Sequence, residues 1–278
     1  MHTKGSIGVF DSGYGGLTIL KQLVKHLPQY DFLYLGDNAR APYGNRSFDA
    51  VYQYTLQCVK WFFSQGCPLV VLACNTASAK ALRTIQQGYL TRNNTDKKVL
   101  GVIRPTAEII GQFTKTNKIG VLGTTGTVQS ESYLMEIKKI FPQVEVFQQA
   151  CPLWVPLVEN NEYNEDGAEY FIKKDIERLL SQSPEIDAVL LACTHYPLLI
   201  DKIRKYTPAH IKIIAQGEII TASLKEYLKR HTEIERQCSK KASVTVYTTD
   251  SAEEFTRQSV NFYGSRLQAM HLNLDEQA

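Results

Sequence analysis

The chain has 278 residues, 44% of them apolar and 21% charged, proportions typical of a water-soluble globular protein with room for two small domains or one large one. Its 31 basic and 28 acidic residues leave a net charge of +3 with no long run of either sign, which excludes an electrostatic footprint for nucleic acid and a polybasic membrane anchor. No apolar stretch approaches the ~18 residues that span a bilayer, and the N-terminus runs directly into a strand-like segment with no signal peptide, so a cytoplasmic location is expected.

In chain order, short apolar runs alternate with segments of helical period. Residues 7–10 read as a first buried strand, and Leu17, Leu20, Val24 and Leu27 form a helix stripe that Pro28 closes. Further strands are expected at 32–35, 69–73, 99–103, 119–122, 189–192, 211–215 and 244–247. Helices are expected near 48–64, 77–88, 130–141, 166–181, 197–206, 218–230 and 251–263. This alternation predicts an α/β fold with mostly parallel sheets, whose site lies in loops at the carboxyl ends of strands.

The pattern also repeats. Ile7-Gly8-Val9-Phe10 leads into Asp11-Ser12-Gly13, as Ile119-Gly120-Val121-Leu122 leads into Gly123-Thr124-Thr125. Val71-Leu72-Ala73-Cys74-Asn75-Thr76 likewise matches Leu190-Leu191-Ala192-Cys193-Thr194-His195. Two matches in the same order and nearly the same offset favour duplication over chance.

The six cysteines show no CxxC pair and no zinc-like histidine spacing, so free thiols and no metal site are expected. A free thiol is most often a small buried hydrophobe, and Cys58, Cys67, Cys151 and Cys238 fit that description. Cys74 and Cys193 differ: each follows a buried apolar strand and precedes polar residues, which puts it at a strand tip in a cleft. Inverting a stereocentre removes a proton from one face and delivers one to the other, and a mirror-like pair of acid/base groups does both. With a free pKa of about 8.5, a thiol reaches both forms near neutral pH.

Around the pair, the turn Asp11-Ser12-Gly13-Tyr14-Gly15-Gly16 opens a helix and permits close backbone approach. Asp11 is a candidate to accept a ligand ammonium or to assist Cys74; the alternative is a plain helix N-cap. Gly123-Thr124-Thr125-Gly126-Thr127 offers hydroxyls and amides suited to a carboxylate, against the reading of a simple Gly/Thr turn. Residues 37–44 form an irregular loop over the same edge. Arg40 and Arg104 are candidates for acidic substrate groups, though solvated positions are expected for both. His195 alone among the histidines stands in a motif.

The blocks DSGYGG at 11–16, APYG at 41–44, ACNTAS at 73–78, GTTGTV at 123–128, CPLWVPLVE at 151–159 and ACTHYPLL at 192–199 resemble those of the glutamate racemases, in the aspartate/glutamate racemase superfamily. The resemblance covers roughly residues 6–200. It implies two similar, pseudo-symmetric three-layer α/β domains around a central cleft, with the C-terminal segment returning to the first. The first domain is then expected at 1–98 plus 209–278 and the second at 99–208.

By motif, the resemblance implies Cys74 and Cys193 as the acid/base pair. Asp11, Ser12, Tyr43, Gly44, Asn75, Thr76, Thr194 and His195 would line the substrate, and Thr125 and Thr127 would hold a carboxylate. Asp37, Glu159 and His195 are candidates to assist the thiols or the ammonium, with Asp11. The resemblance further implies L- and D-glutamate as substrates, no cofactor, a homodimer, and a role in peptidoglycan synthesis. Two departures stand out: Arg104-Pro105-Thr106 in place of a small turn, and Gln216-Gly217 in place of an acidic and a small polar residue. Both are expected near hinge contacts and away from the motifs. Activation by a cell-wall precursor is not expected, since the N-terminal extension of members so activated is lacking.

Three other readings compete. The nearest is an aspartate or related amino-acid racemase of the same superfamily. The second is a Cys/His acyl-transfer hydrolase on Cys193 and His195, whose two-residue spacing on a strand-end turn is expected to place them poorly as a nucleophile–base pair. The third is a two-lobed binding protein without catalysis.

Overall fold

The computed structural model describes residues 4–93 and 95–274. The chain first builds β1 (Ile7–Asp11), α1 (Leu17–His26), β2 (Phe32–Gly36), α2 (Phe48–Ser64), β3 (Leu69–Leu72), α3 (Asn75–Lys80), α4 (Leu82–Thr84) and β4 (Lys98–Gly101). Then α5 (Ile103–Ile110) leads to β5 (Lys118–Gly123), α6 (Thr125–Gln129), α7 (Ser132–Ile140), β6 (Glu145–Ala150) and α8 (Trp154–Glu159). Next come α9 (Asp166–Leu180), β7 (Ala188–Ala192), α10 (Ile200–Tyr206) and β8 (Lys212–Ile214). Finally α11 (Gly217–Arg230) and α12 (Thr232–Glu235) lead back to β9 (Val244–Thr248), α13 (Ala252–Tyr263) and β10 (Ala269–His271).

These strands form two parallel sheets, ordered β10-β9-β2-β1-β3-β4 and β6-β5-β7-β8. The run β2-β1-β3-β4 repeats the order β6-β5-β7-β8, and the repeat extends to register: Val9 pairs with Val71 as Val121 pairs with Leu190. The duplication legible in the sequence is therefore a duplication of pairing. β1, β3 and β7 are buried along their whole length, because helices cover both faces of a parallel sheet and leave no polar side to alternate with. One apolar cluster joins Leu20 and Leu23 of α1 to Leu122 and Leu191 of the second sheet, so the two lobes share a core.

The differences from expectation have local causes. β6 carries Glu145, Gln148 and Gln149 on a half-exposed edge, and β10 is a three-residue edge strand, so neither shows an apolar run. The strand expected at 99–103 ends at Gly101. Arg104-Pro105-Thr106 is no turn but the first turn of α5, where proline's missing N–H has no intrahelical partner to lose. The expected domain limits also differ from the sheets' own: β4, at 98–101, pairs with β3, and β8, at 212–214, pairs with β7.

Candidate active site

Segments that follow β1, β2, β3, β5, β6 and β7 converge on one narrow cavity of about 30 Å³. That is room for about two waters. Both Cys74 and Cys193 line it, as does Ser12.

Cys74 sits two residues past β3 as the N-cap of α3, where its Sγ accepts the Ala77 amide at 3.4 Å and lies 3.5 Å from Ser12 Oγ. Burial, then the neighbouring Asp11 charge, pushes its thiol up to about 12, against the pull of the Ser12 and Ala77 hydrogen bonds. In the closed cleft Cys74 is a neutral thiol, a proton donor.

Cys193 follows β7 directly. His195 Nδ1 stands 3.8 Å from its Sγ, and His195 Nε2 stands 2.9 Å from Glu159 Oε1. Burial alone depresses an imidazole. Here hydrogen bonds to Cys193 and Glu159, with the Glu159 charge, outweigh it and hold His195 well above its ordinary value. As an imidazolium, His195 donates from both nitrogens. This corrects the expectation drawn from spacing, since the turn brings the Cys193 and His195 side chains within hydrogen-bonding reach.

Asp11, at the end of β1, caps no helix: Gly16 occupies the N-cap of α1. The Asp11 carboxylate accepts the Gly13 amide at 3.0 Å and the Thr194 hydroxyl at 3.3 Å. Burial raises its pKa despite the His195 charge and the Gly13 and Gly16 amides. Asp11 thus links the turn beside Cys74 to the turn beside Cys193.

Asp37 is fully buried and committed elsewhere. Its carboxylate takes Arg40 Nε at 2.7 and 3.0 Å, Thr249 Oγ1 at 2.9 Å and the Tyr43 hydroxyl. It lies outside the cavity wall, and Tyr43 and Gly44, which do line the wall, are the residues it orders. Arg40 is spent on this pair, and Arg104 is exposed beside Glu108.

On the opposite wall the Thr76 hydroxyl lies 2.9 Å from Thr124 and 3.4 Å from Thr127, and Thr124 lies 3.1 Å from Thr127. Thr125 is half-buried and Thr127 fully buried, and neither is on the wall; Thr124, the N-cap of α6, stands where they were expected. The residue before a helix is a favoured place for threonine, so position 124 was readable as a cap. Among the described residues, no group of three or more His, Cys, Asp or Glu could hold a metal ion, and no helix is long and apolar enough to cross a membrane.

The sequence profile of the Asp/Glu/hydantoin racemases matches residues 7–224. The chain belongs to that family. It is 36% identical to a glutamate racemase of Persephonella marina over 271 residues, which cover 98% of each chain. It superposes on a glutamate racemase isoform of Bacillus anthracis with a TM-score of 0.88 at 31% identity, covering 98% of this chain and 99% of the other. A Francisella tularensis glutamate racemase, solved with D-glutamate, gives 0.85 at 29% identity over 98% and 99% of the two chains.

In this member of the Asp/Glu/hydantoin racemases, Asn45 on the cavity wall and Gln216 and Tyr133 behind it lie outside the motif blocks. Gln216, expected to stand away from the motifs, accepts from Asn75 Nδ2 on its Oε1 at 2.8 Å. Tyr133 donates to Asn75 Oδ1 at 2.5 Å and accepts from Gln216 Nε2 at 2.7 Å. Nothing in the local pattern marks Tyr133, and Gln216 stands out only as a departure from the acidic residue expected there. Cys151, read as a core thiol, is buried and also touches the cavity.

Proposed function

We propose that this chain interconverts L-glutamate and D-glutamate by two-base proton transfer at the α-carbon, using Cys74 and Cys193 and no metal or organic cofactor. The observation that carries the reading is a pair of thiols, delivered by equivalent strand ends of two repeated half-sheets, on one cavity. The thiolate of one cysteine takes the α-proton, leaving a carbanion conjugated with the α-carboxylate. The thiol of the other delivers its proton to the opposite face and becomes the thiolate. In the state described, Cys74 carries a proton to give, and His195 lies 3.8 Å from the Cys193 sulfur.

The remaining groups divide by position. Ser12, Asn75, Thr76, Thr124 and Thr194 supply hydroxyls and an amide for the carboxylates, with Thr127 holding Thr76 and Thr124 from behind, and Tyr43 and Gly44 close the outer end. Asp11, Glu159 and His195 set the charge around the two sulfurs; Asp37 acts through Tyr43. The D-glutamate so formed suits peptidoglycan synthesis in the cytoplasm, and a homodimer is the assembly to test by light scattering.

The Cys193–His195–Glu159 chain also favours a second reading, an acyl-transfer hydrolase with Cys193 as nucleophile. Loss of the circular dichroism of L-glutamate, with no cofactor added, tests the first reading. If the signal persists while a γ-glutamyl thioester is hydrolysed, and Cys74→Ser leaves that hydrolysis intact, the hydrolase reading replaces it. Faster decay with L-aspartate than with L-glutamate turns the substrate class to aspartate.

A further inference from the structure

Resting on the reading of Asn75 as a substrate ligand, we infer that Gln216 is a positioning residue that sets which end of the Asn75 amide meets the substrate when the lobes close.

The argument starts at a backbone carbonyl, which can only accept. Thr106 Oγ1 donates its single hydrogen to Val102 O at 2.9 Å, so toward Gln216 the Thr106 oxygen can only accept. Gln216 must therefore turn its Nε2 to Thr106, at 2.8 Å, and with its second hydrogen it reaches the Tyr133 oxygen at 2.7 Å. That leaves Gln216 Oε1 pointing at Asn75, where only a donor fits, so Asn75 presents Nδ2 at 2.8 Å. Its Oδ1 is then left for the Tyr133 hydroxyl, whose hydrogen is free to go there. A flipped Asn75 would set oxygen against oxygen at Gln216 and lose the Tyr133 bond. The polarity of a residue on the cavity wall is thus dictated, step by step, from the Val102 carbonyl.

The ring is closed and almost wholly buried. Asn75, Gln216, Tyr133 and Thr106 are 3%, 4%, 0% and 0% exposed, so a misdirected dipole would go uncompensated by water. Asn75 carries two hydrogens on Nδ2, and the ring uses one of them. The second is the donor that remains for a carboxylate.

The ring also spans the lobes. Asn75 follows β3 of the first sheet, Tyr133 lies in α7 of the second, and Thr106 and Gln216 lie on α5 and at the start of α11, the helices of the two crossings. Separating the lobes breaks it and frees the amide. Closure and the orientation of Asn75 are then one event.

The test uses Gln216→Met, similar in length but without hydrogen bonds, and Tyr133→Phe as a second variant that keeps the ring's volume. Each should raise KM for both enantiomers about tenfold, the loss of one charged hydrogen bond, and leave kcat within about threefold. Asn75→Ala alone should raise KM at least as much, and adding Gln216→Met to it should change KM no further. Additive effects, or equal KM in Gln216→Met and wild type while Asn75→Ala is impaired, overturn the inference about Gln216. A kcat loss of the same size in both backgrounds, with a lowered thermal midpoint, also overturns it, because the role is then structural. If Asn75→Ala leaves KM unchanged, the assignment of Asn75 as a ligand falls first, and the inference with it.

Discussion

Thr194 Oγ1 donates to Asp11 Oδ2 over 3.3 Å, so the residue after one cysteine is hydrogen-bonded to the turn that flanks the other. The contact needs the bare backbone of Gly15: a Cβ there would lie 2.3 Å from Thr194 Oγ1 and 2.4 Å from His195 Nδ1. Gly15→Ala should therefore push both groups aside and lower kcat/KM by about 10²-fold. Gly167, in the first turn of α9 with nothing within 4 Å of a built Cβ, is the control. Gly167→Ala should keep full activity and gain about 0.5–1 kcal/mol in urea unfolding. Equal activity in the two variants would mean that the Asp11–Thr194 link does not matter to the reaction.

On the proposed mechanism, inversion needs both thiols. Cys74→Ser and Cys193→Ser should each reduce racemisation by about 10²–10⁴-fold or more, since a serine hydroxyl forms no useful anion at neutral pH. On an analogue that expels a β-leaving group after α-proton loss, only the base is required. Each variant should then react with one enantiomer, and the two should prefer opposite ones. A shared preference would refute the facing-thiol mechanism.

Asp11 and His195 sit beside different sulfurs and should act on different half-reactions. Because the two enantiomers are equal in free energy, kcat/KM must stay equal in both directions in every variant. The asymmetry has to be read elsewhere. With α-deuterated substrates, Asp11→Asn should enlarge the isotope effect for the enantiomer whose proton Cys74 takes, and His195→Asn that for the other. Identical changes in both directions would leave the two residues without separate roles.

Burial pushes the thiols of Cys67, Cys74 and Cys238 from 9.0 up to about 12. The folded chain then holds these protons to higher pH than the unfolded chain does. The stability they contribute is complete below about pH 9 and is lost as pH rises toward 12. Urea midpoints should hold between pH 7 and 9 and fall above it, and Cys74→Ser should flatten the fall. An identical profile in that variant would show that Cys74 titrates normally.

What could be read from the sequence was whatever burial had written into a local pattern. β1, β3, β5 and β7 were legible because strands covered on both faces become apolar runs. Cys74 and Cys193 were legible because each closes such a run at an equivalent register. β6 and β10 lie at sheet edges and carry no such run. The approach of His195 to Cys193 was misjudged because a count of two residues says nothing about a backbone bend. Gln216 lies 141 positions from Asn75 and Tyr133 lies 58, and partners that distant are chosen by the packing of the lobes.

All six cysteines are free and buried, and Cys74 and Cys193 are 5% and 6% exposed beside a space of about 30 Å³. Glutamate does not fit such a space, so the cleft must part once for every molecule admitted. Oxidation of a sulfur by peroxide needs access and a thiolate; Cys74 is buried and protonated, whereas Cys193 also borders an open pocket of about 600 Å³. The working lifetime of Cys74 in an oxidising stress is thus set by how long the cleft stands open. The proposed two-sulfur reaction is also one that a single oxidised sulfur ends.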